Sequence, residues 1–145
     1  GAIPPLPLAP NTPWCILYTG GTTGQPKGAI LTHSSVLWNA INTDLSWGLR
    51  EEDIAHIFTP MFHTGGFNVF TLPLLLLGAT IIVPKRFDPE QALRSIVGER
   101  ATLLFLVPTM FQMLADAPGF EDADLSSIRW AIAGGAPCPE GLYDI

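Results

Sequence analysis

The residues best suited to chemistry lie in one run, Tyr18-Thr19-Gly20-Gly21-Thr22-Thr23-Gly24-Gln25-Pro26-Lys27-Gly28. Four glycines, three threonines and a lysine follow a short apolar stretch, Trp14–Thr19. Glycines let the backbone turn through positive φ and let a ligand approach it closely. Successive N–H groups in such a loop form a concave anion site. Threonine hydroxyls add donors, and Lys27, one of two lysines in the chain, adds a cation. Several neutral donors and one charge on a wrapping loop suit a polyphosphate. The plainer reading is a flexible glycine turn, which the hydroxyl triplet and the placed lysine disfavour.

Two phosphate motifs fail on spacing. A Walker loop needs Gly-Lys followed by Ser or Thr, whereas Gln25 and Pro26 separate Gly24 from Lys27, and Gly28 follows. The dinucleotide fingerprint G-x-G-x-x-G fails because the glycines fall at 20, 21, 24 and 28. A P-loop hydrolase is disfavoured accordingly.

The run resembles the signature of the adenylate-forming superfamily, which comprises acyl-CoA synthetases, peptide-synthetase adenylation domains and beetle luciferases. Gly20 stands where serine is most frequent, a variant similar to some fatty-acyl-CoA synthetases, and every other fixed position agrees. Ala29-Ile30-Leu31-Thr32-His33 also resembles the family, in which the loop runs on into a helix. Pro60-Met61-Phe62-His63 resembles its second motif, which implies that His63 sits at the mouth of an acyl pocket, with Gly66 and Phe67 lining it. Gly134-Gly135-Ala136-Pro137 resembles the segment against which adenine and acyl group pack. Read alone, His63 is a satisfied histidine at a strand end, and Gly134-Gly135 an ordinary strand-to-helix turn. His33 and His56 are given structural or surface roles.

The resemblance implies an acid–thiol ligase. A carboxylate, here expected to be a fatty acid, attacks the α-phosphorus of ATP; the acyl adenylate then passes its acyl group to coenzyme A. Lys27 is the expected catalytic residue, and Thr19, Gly20, Gly21, Thr22, Thr23, Gly24, Gly134, Gly135 and Ala136 the nucleotide contacts. Mg2+ is implied, but its acidic ligand, the ribose aspartate and a second catalytic lysine belong to motifs not found before Ile145. The chain is therefore expected to be part of a larger N-terminal domain, inactive alone, self-associating through uncovered apolar faces, and partnered by the rest of that domain and a C-terminal domain. A cytoplasmic location is implied, with peripheral membrane association of the parent left open. The alternatives are a nucleotide-binding or interaction module without catalysis, and, within the family, a fatty-acyl-AMP ligase or an aryl-CoA ligase. Phe62, Phe67, Val69, Phe70 and Leu74 suit an aliphatic or aryl acid, and Asn68 offers no carboxylate to an amino group.

The composition bounds the elements that carry these residues. The chain has 145 residues, 48% of them hydrophobic and 14% charged, with a net charge of −6. Disorder is excluded, and the acidic balance argues against nucleic acid as a partner. The usual charged share is about 25%, so part of the surface is expected to be covered. Cys15 and Cys138 match no metal or disulfide pattern. Ile54–Pro84 contains no Asp, Glu, Lys or Arg, yet prolines, glycines and polar residues interrupt it, so no transmembrane segment is expected.

Residues 1–13 read as a proline-rich extended segment and 14–145 as one partial AMP-binding (adenylate-forming) domain. Strands are expected at Trp14–Thr19, Ile54–Thr59, Ala79–Val83, Thr102–Val107 and Ile128–Ala133. A helix over His33–Trp47 starts at a Thr32 cap, stops at Gly48, and carries Leu37, Ala40, Ile41, Asp44 and Leu45 at helical spacing. A buried helix spans Phe67–Leu77, bent at Pro73. Asp88-Pro89-Glu90 opens a helix whose face is Leu93, Ile96 and Val97. Further helices are expected over Thr109–Ala115 and from Pro137 onward. Alternating strands and helices give an α/β fold with a mainly parallel sheet.

Overall fold

The computed structural model describes residues 7–20 and 24–142. The first six residues of the expected extended segment lie outside them, as do the last three of the chain. Two sheets form. The first is an antiparallel hairpin of β1 (Pro13–Thr19) and β2 (Lys27–Thr32). The second has four strands: β3 (Ile54–Ile57), β4 (Thr80–Ile82), β5 (Leu103–Leu106) and β6 (Trp130–Ala133). Its order is β4-β3-β5-β6 and every pairing is parallel, as the alternating pattern predicts.

β2 corrects the sequence expectation. Lys27–Thr32, expected only as loop running on into the helix, is a sixth strand, while the helix begins at His33 as expected. The physical reason lies in the pairing: Ala29, Ile30 and Leu31 find ladder partners in Leu17, Ile16 and Cys15, and a β-branched, apolar stretch gains from them. Helix α1 (His33–Trp47) then starts at a capping box. Thr32 Oγ1 accepts from the Ser35 amide at 3.1 Å, and Ser35 Oγ accepts from the Thr32 amide at 2.9 Å. It ends at Gly48, in the left-handed region at φ 58°. Its buried positions are Ala40 and Asp44, while the Leu37 and Leu45 of the expected apolar stripe are exposed.

The expected helix over Phe67–Leu77 is two helices. α2 (Thr64–Phe67) is a single turn, and α3 (Thr71–Leu77) follows a break at 68–70. The break falls upstream of Pro73, which sits in the first turn of α3 and so costs no intrahelical hydrogen bond. α4 (Pro89–Gly98) matches its predicted start, with Asp88 Oδ1 accepting from the Gln91 amide at 2.9 Å. α5 (Pro108–Ala115) completes the helices, and Glu140–Leu142 forms a 3-10 turn where a helix was expected to begin.

β5 is buried on both faces, which is why it reads as an unbroken run, Leu103-Leu104-Phe105-Leu106. Leu103 and Phe105 pack with Ala55, Ile57, Phe70 and Leu74 under α1 and α3. Leu104 and Leu106 face Leu93, Ile96 and Leu114 of α4 and α5. Each fully buried leucine or isoleucine contributes about 1.5–3 kcal/mol. Thus β3 hands the chain to helices on one face, and its neighbour β5 hands it to a helix on the other.

Candidate functional site

That divergence places a crevice. In open parallel sheets, ligands bind beyond the carboxyl ends of the strands, where neighbouring connections part to opposite faces. Here the point lies between the exits of β3 and β5. The segment leaving β3 is Pro60–Phe67, and the turn leaving β6 is Gly134-Gly135-Ala136.

The ring of Phe105, at the end of β5, joins the two. A Cβ on Gly134 would come within 2.8 Å of its Cε2, and one on Gly65 within 3.1 Å of its Cε1. Glycine at both positions clears the two edges of one ring. Gly66 is tighter still: a Cβ there would run into the carbonyl oxygens of both Pro60 and Thr59. Gly66 is therefore required by backbone packing. Gly135 is required by conformation, at φ 84°.

His63 is exposed and caps α2, its Nδ1 accepting from the Gly65 amide at 3.0 Å. A neutral ring so placed carries its proton on Nε2. Phe67 stacks on Trp14 of β1, with ring centroids 4.9 Å apart and planes 20° from parallel. Phe70 and Leu74, expected at the pocket wall, are fully buried in the core instead, because the break after α2 and the α3 that follows it turn them onto β3 and β5. Phe62 is exposed.

The loop between β1 and β2 is held at its base. Thr19 pairs with Lys27, and the Thr19 hydroxyl donates to the Lys27 carbonyl at 3.3 Å. This bond is long and engages the proton Thr19 was expected to offer a phosphate. The Lys27 side chain is exposed, with no ion-pair partner among the described residues. Gly24 has φ 85°, a conformation suited to glycine. Gly21, Thr22 and Thr23 lie outside the described residues. A Cβ on Gly20 would meet no described atom within 4 Å. Among the described residues no hydrogen bond joins this loop to the crevice; the structure gathers His63, Gly65, Gly66 and Gly134 about Phe105, and Lys27 with Thr19 separately.

An apolar cavity of about 370 Å³ lies elsewhere, lined by Phe111, Leu114, Phe120, Leu125 and Ile128 among others. None of the expected site residues borders it, and it lacks convergent polar groups, so the strand-exit crevice is the better candidate. Among the described residues no cluster of three or more His, Cys, Asp or Glu is placed to hold a metal ion. No helix among them is long and apolar enough to cross a membrane.

Comparison with known proteins settles the family. The AMP-binding enzyme family profile matches residues 2–144. The chain belongs to the AMP-binding enzyme family. This AMP-binding chain is 42% identical over 139 residues to a feruloyl-CoA synthase of an Amycolatopsis species, covering 96% of the chain. It is 41% identical over 142 residues to an indoleacetate–CoA ligase of Aromatoleum aromaticum, covering 97% of the chain. It spans 28% of the length of each of these curated relatives. Among solved structures, the inhibitor-bound N-terminal domain of FACL13 from Mycobacterium tuberculosis superposes with a TM-score of 0.87 at 32% identity, over 97% of this chain and 35% of that one.

Sequence reasoning missed two residues of the candidate site in this AMP-binding chain. Phe105 was hidden in a core-like run, though glycine pairs at both flanking turns signal a bulky neighbour. Trp14 stands at the head of the first strand and read only as its first residue. The AMP-binding fold also buries titratable groups away from the crevice. His56 is fully buried on β3, its Nε2 2.8 Å from Ser95 Oγ and its Nδ1 without a partner among the described residues. Burial pushes its imidazole below the usual range, against a weaker opposing pull from Glu99. Burial raises Asp44 from 3.8 to about 6.

Proposed function

We propose that the polypeptide carrying this chain activates a carboxylic acid with ATP and passes the acyl group to coenzyme A. A carboxylate oxygen attacks the α-phosphorus, the α–β phosphoanhydride bond breaks and pyrophosphate leaves. The thiolate sulfur of coenzyme A then attacks the acyl carbon, and AMP leaves. In this reading the exposed Lys27 and the backbone N–H groups of residues 20–25 hold charge developing on the departing pyrophosphate. Gly134, Gly135 and Ala136 offer a flat, side-chain-poor surface to adenine. His63, Gly66 and Phe67 frame the acid, with His63 and Gly66 shaping the turn rather than touching the reacting atoms.

The observation that carries the reading is the Thr19–Lys27 pairing, which closes a glycine-rich loop directly onto its one cation. The names of the relatives support a ligase and favour ring-bearing acids over the fatty acid expected from the Gly20 variant. The exposure of Ile16, Tyr18, Trp38 and Leu45 supports a place for residues 14–145 within a larger AMP-binding domain. Acid-dependent ATP–pyrophosphate exchange by the complete gene product, across aryl, aryl-propenoic and fatty acids, tests it. Exchange with the ring-bearing acids is expected. Exchange with fatty acids alone overturns the acid class, and no exchange with any acid favours a binding module. In Gly134→Ala, exchange with ring-bearing acids should fall about tenfold, and Phe105→Leu in the same chain should restore part of it.

A further inference from the structure

We propose that Trp14 is a positioning residue: it holds the phosphate loop at a set distance from the acid crevice. The inference rests on the function proposed above. The hairpin and the four-stranded sheet share no strand pairing, so nothing in the ladders fixes one against the other. The hairpin itself is poorly covered, with Ile16, Tyr18 and Ile30 all exposed. Its β2 end runs into α1, and the preceding segment is tied to the same helix start by the His33 amide donating to Thr12 O at 3.1 Å and the Ser34 amide to Pro10 O at 2.8 Å. These bonds anchor one end of the hairpin to α1. They do not orient it toward Pro60–Phe67.

Trp14 does. The register runs Pro13↔Thr32 and then Cys15↔Leu31, two steps on β1 against one on β2. Trp14 is the extra residue of a β-bulge, a device that re-aims a side chain out of its ladder. The freed indole lies nearly parallel to Phe67 at 4.9 Å, and its other aromatic neighbour is His33, at 6.2 Å. Phe67 closes α2, the turn that His63 caps and whose Gly65 faces Phe105. Asn39 Nδ2 donates to the Asn68 carbonyl at 2.9 Å, seating the end of that turn on α1. The stack therefore ties the α1 end of the hairpin to the crevice wall, and β1, running from Trp14 to the Thr19–Lys27 pair, carries that placement to the base of the loop. Because a shift of about 1 Å between reacting groups can cost on the order of a hundredfold in rate, the stack bears on turnover without touching a substrate.

Trp14→Phe, Trp14→Leu and Trp14→Ala in the complete gene product test this. Pyrophosphate-exchange kinetics, thermal midpoints and pulsed-EPR distances between nitroxides on Gln25→Cys and Phe62→Cys in a cysteine-free background are read. Trp14→Ala and Trp14→Leu are expected to lower kcat at least tenfold with KM for ATP within about twofold, and to broaden the distance distribution. Trp14→Phe, which keeps a stacking plane, is expected to restore both. Wild-type kcat and an unbroadened distribution in Trp14→Leu overturn the proposal, and that variant keeps enough apolar bulk to fold should Trp14→Ala fail. If the wild type exchanges pyrophosphate with no acid, the proposed function fails while the distance measurement still decides the role of Trp14.

Discussion

Arg129 and Asp53 lie 76 residues apart in sequence, and Arg129 Nη1 donates to both Asp53 carboxylate oxygens, at 2.5 and 2.7 Å. The pair sits at the amino ends of β3 and β6, opposite the crevice. Thr102 Oγ1 and the Arg50 amide also donate to Asp53, at 2.7 and 2.8 Å. Arg129 Nη2 reaches the Gly48 carbonyl at 2.9 Å and Trp130 Nε1 the Trp47 carbonyl at 3.0 Å. The end of α1 is thereby bound to the sheet. Burial raises the Asp53 pKa, but the hydrogen bonds from Arg129, Thr102 and Arg50 outweigh it and hold the carboxyl below its ordinary range. Arg129→Met leaves a buried carboxylate without its cation and is expected to cost about 3–5 kcal/mol. Chemical denaturation of the complete gene product checks this, and Asp53→Asn combined with Arg129→Met should cost less than Arg129→Met alone.

His56 and Asp44 give opposite pH dependences. The folded imidazole titrates below its unfolded value of 6.5, so the unfolded chain binds more protons in that window. The contribution of His56 is full above about 6.5 and lost as pH falls toward the folded value. Asp44 rises from 3.8 to about 6, so the folded chain binds more protons there, and stability falls as pH rises through that range. Thermal midpoints between pH 5 and 8 should show His56→Gln declining less below pH 6.5 than the wild type. Asp44→Asn should gain about 3 kcal/mol at pH 7.5 and about half of that at pH 5.

Two glycines of the expected site should answer a methyl group differently. Gly66→Ala drives a Cβ into the Pro60 and Thr59 carbonyls, which cannot swing aside as a side chain can, and should destabilise by about 2–3 kcal/mol. A Cβ at Gly20 meets nothing within 4 Å, so Gly20→Ser should leave the thermal midpoint within about one degree, given that exposed substitutions fall within about 0.5 kcal/mol.

Lys27→Ala should slow adenylate formation more than tenfold while the thermal midpoint stays near that of the wild type, since the side chain is exposed and packs no core. Near-normal pyrophosphate exchange in that variant would sink the assignment of the loop to catalysis.

The residues themselves announced the loop, the capped helices and the parallel sheet. Local signals sufficed for those: Thr32 and Asp88 cap their own helices, Gly48 ends one in the left-handed region, and the doubly buried β5 must be apolar throughout. Tertiary structure alone made Lys27–Thr32 a strand, because that choice depends on cross-strand partners in Leu17, Ile16 and Cys15 that helix–strand propensity does not contain. It alone sent Phe70 and Leu74 into the core while Phe67 met Trp14, since the break after α2 resets the facing of everything downstream. It alone placed Phe105 between Gly65 and Gly134. Hydrogen-bonding and capping preferences act over a few neighbours and are written along the chain, whereas contact between residues tens of positions apart exists only once the sheet has brought their strands side by side.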